Sequence, residues 1–335
     1  MTLVGRAPSF RRFLALVERV AGGEAPALVI GETGTGKELT ARAIHYGGVR
    51  AGRPFVPANC GAIPEAMIVS ELFGHAKGAF TDAHDARPGL VTEAEGGTLF
   101  LDEIDTLSAA AQVALLRFLQ DGRYRPLGGQ RERAADVRIV AASNADLHGA
   151  VDAGRFRRDL LYRIDVLELR VPPLRERAED IPLLAAHFLE RLGDRYGKPG
   201  WRFGRRALAV LRAGAWPGNV RQLENLVHRA LVLCDGPEID DLGPALSPDW
   251  DAATPPTDAG GEPPVQGDFA AIGFGAAKAR AVADFERRYL AWVMDEAGGN
   301  VTRAARLAGK ERRALGRLLK KHGLAAATGR SACAG

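Results

Sequence analysis

Eight residues constrain this chain more than any others. Gly31-Glu32-Thr33-Gly34-Thr35-Gly36-Lys37-Glu38 stand between a short apolar run, Ala27–Ile30, and a stretch of helical periodicity, Glu38–Ile44. Four consecutive apolar residues suit a strand buried on both faces. The glycines let backbone N–H groups curl around an anion, and the helix N-terminus behind them adds positive potential. Lys37 stands where an ammonium reaches the outer phosphates of a nucleotide. A strand, a glycine loop and a helix in that order commit the chain to an α/β layer. One position departs from the commonest pattern: Glu38 replaces the hydroxyl residue that usually meets Mg²⁺.

More apolar runs follow at Thr98–Leu101, Val137–Ala142 and Val166–Val171, with a weaker one at Arg53–Ala58. A helical pattern at Ala109–Gln120 lies between them. Runs apolar on both faces, alternating with helices, predict a parallel sheet covered on both sides. Beyond Pro172-Pro173 only helical patterns remain, near Asp180–Arg195, Arg205–Ala213 and Asn219–Cys234, which predicts a helical subdomain. The run Leu99-Phe-Leu-Asp102-Glu103 carries two carboxylates at its end. Its first acid can hold Mg²⁺, directly or through water, and its second can polarise an attacking water. With the glycine loop upstream, this predicts a nucleoside triphosphatase.

Charge divides the chain. The net +4 conceals residues 269–335, with 13 Lys+Arg against 5 Asp+Glu, leaving 32 against 36 for everything before. A Pro- and Gly-rich stretch, 247–268, separates the two and reads as a solvated linker. No apolar stretch reaches the roughly 18–20 residues of a membrane span. Cys60, Cys234 and Cys333 are odd in number and lack metal-ligand spacing, which excludes a disulfide framework and fits reduced thiols in cytoplasm.

The tail reads as a helix over Phe285–Ala297, a break at Gly298–Asn300, a short helix Thr302–Ala308, a turn at Gly309 and a last helix reaching about Lys321. The last helix carries Arg312, Arg313, Arg317, Lys320 and Lys321, a basic helix-turn-helix pattern. Gly316 in its middle costs about 1 kcal/mol relative to alanine.

These motifs resemble the AAA+ bacterial enhancer-binding proteins, ATP-driven activators of sigma-54 RNA polymerase, from about Leu3 to Leu324. The resemblance rests on the glycine loop, where glutamate at position 38 is the family's form, and on Glu71–Ala83, which holds a close match to the hallmark GAFTGA loop. It rests also on Gly96–Ile104, Pro172–Arg177 and Trp216–Arg221, and on a tail like the Fis-type DNA-binding domain. It implies a AAA+ core at 1–172, a helical lid at 173–246, the linker, and a helix-turn-helix domain at 269–335.

The resemblance also implies roles. Gly31 to Glu38, Asp102, Asn144 and Arg221 would bind ATP with Mg²⁺ on Asp102, Asn144 reading the γ-phosphate and Arg221 closing the lid. Glu103 would activate water, held inactive through a hydrogen bond from Asn59 until the nucleotide state changes. Arg157 and Arg163 would be arginine fingers reaching a neighbouring subunit, which implies a ring, a hexamer when active, with a dimer at rest. Gly78, Ala79, Phe80, Thr81, Asp82 and Ala83 would form the loop that touches sigma-54. Thr302, Arg312, Arg313, Arg317, Lys320 and Lys321 would face double-stranded DNA upstream of promoters, with Arg312 and Arg317 on bases.

Several residues depart from the family pattern. Asp82 takes the place of the loop's second glycine, and Ala76 that of an acid common in the preceding helix. Lys310 replaces an apolar turn residue and Glu311 opens the last helix with a charge that repels phosphate. A second reading is therefore a DNA-binding regulator whose assembly nucleotide controls, without driving sigma-54. A third, a AAA+ unfoldase or loader, gives no reason for the hallmark loop. Family members usually place a sensor domain ahead of the ATPase. With the glycine loop at Gly31, the expectation is control in trans by a partner protein, control through expression level, or a start truncated relative to a longer protein.

Overall fold

The computed structural model of the chain describes residues 3–79, 85–234, 236–246 and, in the tail, 289–290, 293–294, 297, 300–308, 310 and 312–321. It divides into two compact units, one ending at Pro255 and one starting at Pro256.

In the first unit, β1 (Ala27–Ile30), β2 (Phe55–Asn59) and β3 (Thr98–Asp102) precede a short antiparallel ribbon of β4 (Arg123–Tyr124) and β5 (Arg133–Ala134). Then come β6 (Arg138–Ser143) and β7 (Leu167–Arg170). Five of these strands form one parallel sheet in the order β2-β3-β6-β1-β7. Alternate side chains supply its two faces. Leu28, Leu99, Leu101, Ile139 and Ala141 pack with Phe73, Leu115 and Phe118 on one face. Val29, Phe100, Val140, Ala142 and Leu169 pack with Phe10, Phe13 and Ile44 on the other. Both faces being covered, the inner strands β1, β3 and β6 carry apolar runs, whereas β7 at the edge alternates as Leu-Glu-Leu-Arg; each expected strand is present with its ends shifted by two residues at most.

Helices α1 (Pro8–Ala21), α2 (Lys37–Tyr46), α3 (Ile68–Phe73), α4 (Leu90–Glu93), α5 (Ala109–Asp121), α6 (Leu147–Asp152) and α7 (Arg158–Ile164) surround the sheet. Helix α1 is not among the helical patterns expected above, although Phe10, Phe13, Val17, Val20 and Ala21 recur at helical spacing and are buried. It opens on a proline in the first turn, and the buried Arg138 closes it by donating to the carbonyls of Val20 (2.7 Å) and Ala21 (3.4 Å). Since α3 ends at Phe73, Ala76 lies beyond the helix it was expected to occupy.

The lid follows as α8 (Ile181–Tyr196), α9 (Arg205–Ala213) and α10 (Asn219–Leu233), packed around Leu184, Phe188, Leu211, Trp216, Leu223 and Leu226. The expectation of helices alone needs correction. A two-residue parallel ribbon, β8 (Arg202–Phe203) with β9 (Glu238–Ile239), ties the start of α9 to the segment after α10. Its strands are too short for any period to register in the sequence.

In the second unit, α11 (Val301–Leu307) and α12 (Arg312–Lys321) close on Leu290, Val293, Ala297, Ala304, Ala305, Leu315 and Leu319. Asn300 is a helix cap, its side-chain oxygen accepting from Thr302 N (3.0 Å) and Arg303 N (3.2 Å). Of the expected Phe285–Ala297 helix, Tyr289, Leu290, Val293 and Met294 are helical and Ala297 lies in a turn. Its other residues, like Gly309 and Glu311, lie outside the described ones. Among the described residues, no helix is long and apolar enough to cross a membrane.

Candidate functional site

The parallel register gathers the carboxyl ends of the strands along one edge, where open α/β sheets bind ligands. Asn59 ends β2 beside Asp102 at the end of β3, and Ile30 pairs with Ser143. The glycine loop leaves β1 at this edge. Gly34 and Gly36 take left-handed φ of 78° and 104°, which turns the loop back over the N-terminus of α2. Thr35 is buried, its hydroxyl donating to Glu32 O (2.8 Å). Lys37 Nζ donates to the carbonyls of Gly31 (2.8 Å) and Glu32 (3.3 Å), holding the ammonium inside the loop. Burial pushes the Lys37 ammonium below its ordinary pKa, while Asp102, Glu103 and Asp105 push back and Arg221 adds to the lowering. Four charges therefore meet around one amine. Glu38 points its carboxylate at Arg42 one turn on (2.7 Å) rather than into the loop.

Asp102 accepts from the backbone N–H of Glu103 (3.0 Å). Glu103 holds a left-handed backbone (φ 54°, ψ 46°), uncommon for a residue with a side chain. Its carboxylate occupies the space a side chain at Gly61 would fill, 2.2 Å from the ideal Cβ there, with Asn59 Oδ1 3.3 Å from the same point. Asn59 is thus a neighbour of Glu103, but the hydrogen bond expected between them is not formed. The Asn59 side chain instead accepts from Ala62 N (3.1 Å). Asn144, just past β6, donates to Thr33 Oγ1 (3.1 Å), which places the expected sensor against the loop.

The lid meets the loop backbone to backbone. Val220 N (3.0 Å) and Arg221 N (3.3 Å) donate to Gly34 O, and a Cβ on Gly34 would lie 2.3 Å from Gly218 O. Two residues that the motif reading passed over hold this junction. Asn219 is fully buried at φ 49°; it accepts from Leu174 N (2.8 Å) and donates to Glu32 Oε2 (3.1 Å) and Thr33 O (3.1 Å). Arg175 grips Glu32 through both terminal nitrogens (2.8 and 2.6 Å). Hydrogen bonds from Arg175 and then Asn219 hold the Glu32 carboxyl down to about 2. The signal was in the sequence: Pro217-Gly218-Asn219 is a turn cluster placed directly before a helix.

Arg157 and Arg163 bracket α7. Arg157, exposed at its N-cap, pairs with Asp159 (2.6 Å), which raises the guanidinium pKa. Arg163, in the last turn, donates to the carbonyls of Leu119 (3.0 Å) and Gln120 (3.5 Å) at the end of α5. Arg158 pairs instead with Asp152 (3.3 Å). On α12, Arg312, Arg313, Arg317, Lys320 and Lys321 are exposed while Leu315 and Leu319 are buried, and Thr302 is exposed in the first turn of α11.

Residues 3–170 match the family described as the sigma-54 interaction domain, residues 175–257 the AAA+ ATPase lid domain, and residues 281–322 the Fis family of bacterial regulatory proteins. The chain belongs to the sigma-54 interaction domain family. It is 52% identical over 237 residues to the response regulator protein PilR of Pseudomonas aeruginosa, covering 71% of this chain and 53% of that protein. It is 43% identical over 323 residues to the transcriptional regulatory protein GlrR of Escherichia coli, covering 96% and 68%. A crystal structure of NtrX from Brucella abortus in complex with ATP superposes with a TM-score of 0.72 at 34% identity, covering 96% of this chain and 69% of that one. The chain therefore spans little more than half the length of some curated relatives.

In the sigma-54 interaction domain, the segment expected to carry the hallmark loop is stapled at its base to the ribbon of β4 and β5. His75 and Arg87 exchange backbone hydrogen bonds (3.0 Å each), Ala76 N donates to Leu127 O (2.9 Å), and Leu127 N donates to Gly74 O (2.9 Å). Gly78 and Ala79 are described, and Ala79 packs so close to Gly128 that a Cβ there would meet it at 2.8 Å. Phe80, Thr81, Asp82 and Ala83 lie outside the described residues.

Proposed function

We propose that this chain hydrolyses ATP in a ring of its own copies and uses the cycle to remodel sigma-54 RNA polymerase for open-complex formation, while its tail holds upstream duplex DNA. The single observation carrying this reading is the junction at Lys37. The ammonium sits inside a loop built for phosphate, an acid pair ends β3 at the same edge of the sheet, and a helical lid closes on the loop itself. The division into core 1–172, lid 173–246, linker 247–268 and tail 269–335 belongs to the same proposal.

Within it, the N–H groups of Gly31 to Lys37 bind phosphate oxygens, Lys37 draws off their charge, and Asn144 reports the outermost one through Thr33. Asp102 holds Mg²⁺. Among the described residues no three metal-ligating side chains converge, which fits an ion that completes its shell with phosphate oxygens and water. When bound, Mg²⁺ neutralises phosphate charge. Glu103 orients and deprotonates the attacking water, and Arg157 and Arg163 stabilise the transferring group of a neighbouring copy. Arg163 and Arg157 must first leave the carbonyls and the carboxylate they hold in the single chain. Asn59 restrains Glu103 in a state other than this one.

The test is transcription from a sigma-54 promoter on supercoiled DNA carrying a bound upstream site, with ATP and with a non-hydrolysable analogue. Open complexes only with ATP support the proposal. ATP hydrolysis and DNA binding without open complexes would favour nucleotide-controlled assembly instead, the reading that Asp82 suggests.

A further inference from the structure

Among the described residues, nothing in the fold calls for Gly316. It sits in the interior of α12, where glycine weakens a helix relative to alanine. Its φ is not left-handed, so the backbone does not demand it. A Cβ built there meets nothing within 4 Å, so packing does not demand it either. The helix's apolar contacts run along the adjoining stripe, through the buried Leu315 and Leu319, and leave Gly316 at its margin. What surrounds position 316 is an open concavity of about 610 Å³ lined by Gly316, Val301, Arg312 and Arg313. Arg317 and Lys320, one and four residues on, are exposed on the same side, and none of these cations pairs with an acid among the described residues.

Among the described residues Gly316 costs stability without meeting a packing or backbone requirement, and the cations around it have no acid partner, which points to a contact outside the fold. We propose that Gly316 is a close-approach seat for duplex DNA: its missing side chain lets the backbone of α12 sit against the duplex, with Val301 forming the apolar floor and Arg312 and Arg313 the walls. The side chains that supply charge are then distinct from the position that sets distance. Arginines on a helix reach a polyanion from several ångströms away, but a base edge or sugar is read only in van der Waals contact. The inference rests on the DNA-binding reading of the tail and goes beyond it, because it assigns recognition to a residue with no side chain.

The experiment uses the full chain and a duplex of about 30 base pairs recovered by the wild-type chain from a randomised pool. Gly316→Ala and Gly316→Leu are compared with wild type for affinity at two salt concentrations and for the thermal unfolding of the tail. The seat requires that affinity fall several-fold for Gly316→Ala and at least tenfold for Gly316→Leu. The salt slope must stay unchanged, because no cation is lost, and both variants must be at least as stable as wild type. Variants binding within twofold of wild type overturn the seat and leave the DNA reading intact. A wild-type chain that selects no duplex and shows no salt-dependent retention overturns both.

Discussion

The glycine loop and helix α12 both collect positive charge, yet they are built in opposite ways. Around the loop the polar side chains are held in place by the protein itself: Lys37 on two carbonyls, Glu32 in the grip of Arg175 and Asn219, Asn144 on Thr33. On α12 the arginines stand in solvent, and among the described residues no acid pairs with Arg312, Arg313 or Arg317. The first arrangement suits a small anion taken in one geometry, since preorganised groups need little rearrangement when it arrives. The second suits an extended polyanion met at many registers, where charge acts at a distance and orientation comes afterwards.

The comparison is most exposed at the acid pair. Glu103→Ala should lower ATP turnover by about 10²–10⁴-fold while nucleotide binding is retained. Turnover at the wild-type rate, followed by phosphate release, would remove the catalytic reading of this edge. Next comes the junction between loop and lid. Asn219→Ala strands Leu174 N and breaks two donations to the loop, and should cost about 2–3 kcal/mol in denaturant unfolding. A loss below 0.5 kcal/mol, to the order of magnitude expected of a surface change, would show the clasp to be incidental.

A smaller effect distinguishes the tail. Lys320→Ala should leave nucleotide turnover untouched and reduce the slope of log affinity for duplex DNA against log salt by about one. An unchanged slope would mean that Lys320 faces no phosphate. The smallest effect is in acid. Glu32 has a folded-state pKa of about 2 against 4.5 ordinarily, so its contribution to the loop–lid junction is complete above about pH 4.5 and is lost as pH falls towards 2. Because the pair is partly exposed, the slope should be shallow. Glu32→Gln should flatten it, as seen in unfolding midpoints across that range.

Much of this was legible beforehand. The strands showed because both faces of the sheet are covered, which leaves a run such as Thr98-Leu-Phe-Leu101 no polar side. The phosphate loop showed because its chemistry is local, eight residues in one stretch. The turn at Asn219 showed as well, but what Asn219 and Arg175 reach did not, since Glu32 lies 187 and 143 positions away and sequence spacing carries no trace of such a meeting. Helix α1 was legible in Phe10, Phe13, Val17 and Val20, which recur at helical spacing, but its closure by Arg138 was not, since that residue comes from strand β6 more than a hundred residues later. Asn59 lies beside Glu103, yet only its amide oxygen is engaged, by Ala62 N, and its N–H donors make no bond to the Glu103 carboxylate here.

The contact of Gly34 with the start of α10 has a consequence for descent. When two elements meet through side chains, a larger residue on one side can be offset by a smaller one on the other, and a lineage can drift along such pairs. Here the surfaces in contact are main chain on both sides, with Gly34 O receiving two N–H groups and Gly218 O where a Cβ would stand. No exchange of residues can retune that gap. The spacing between Gly34 and the start of α10 is therefore set by backbone geometry, and a side chain added at Gly34 would have to displace main chain to fit.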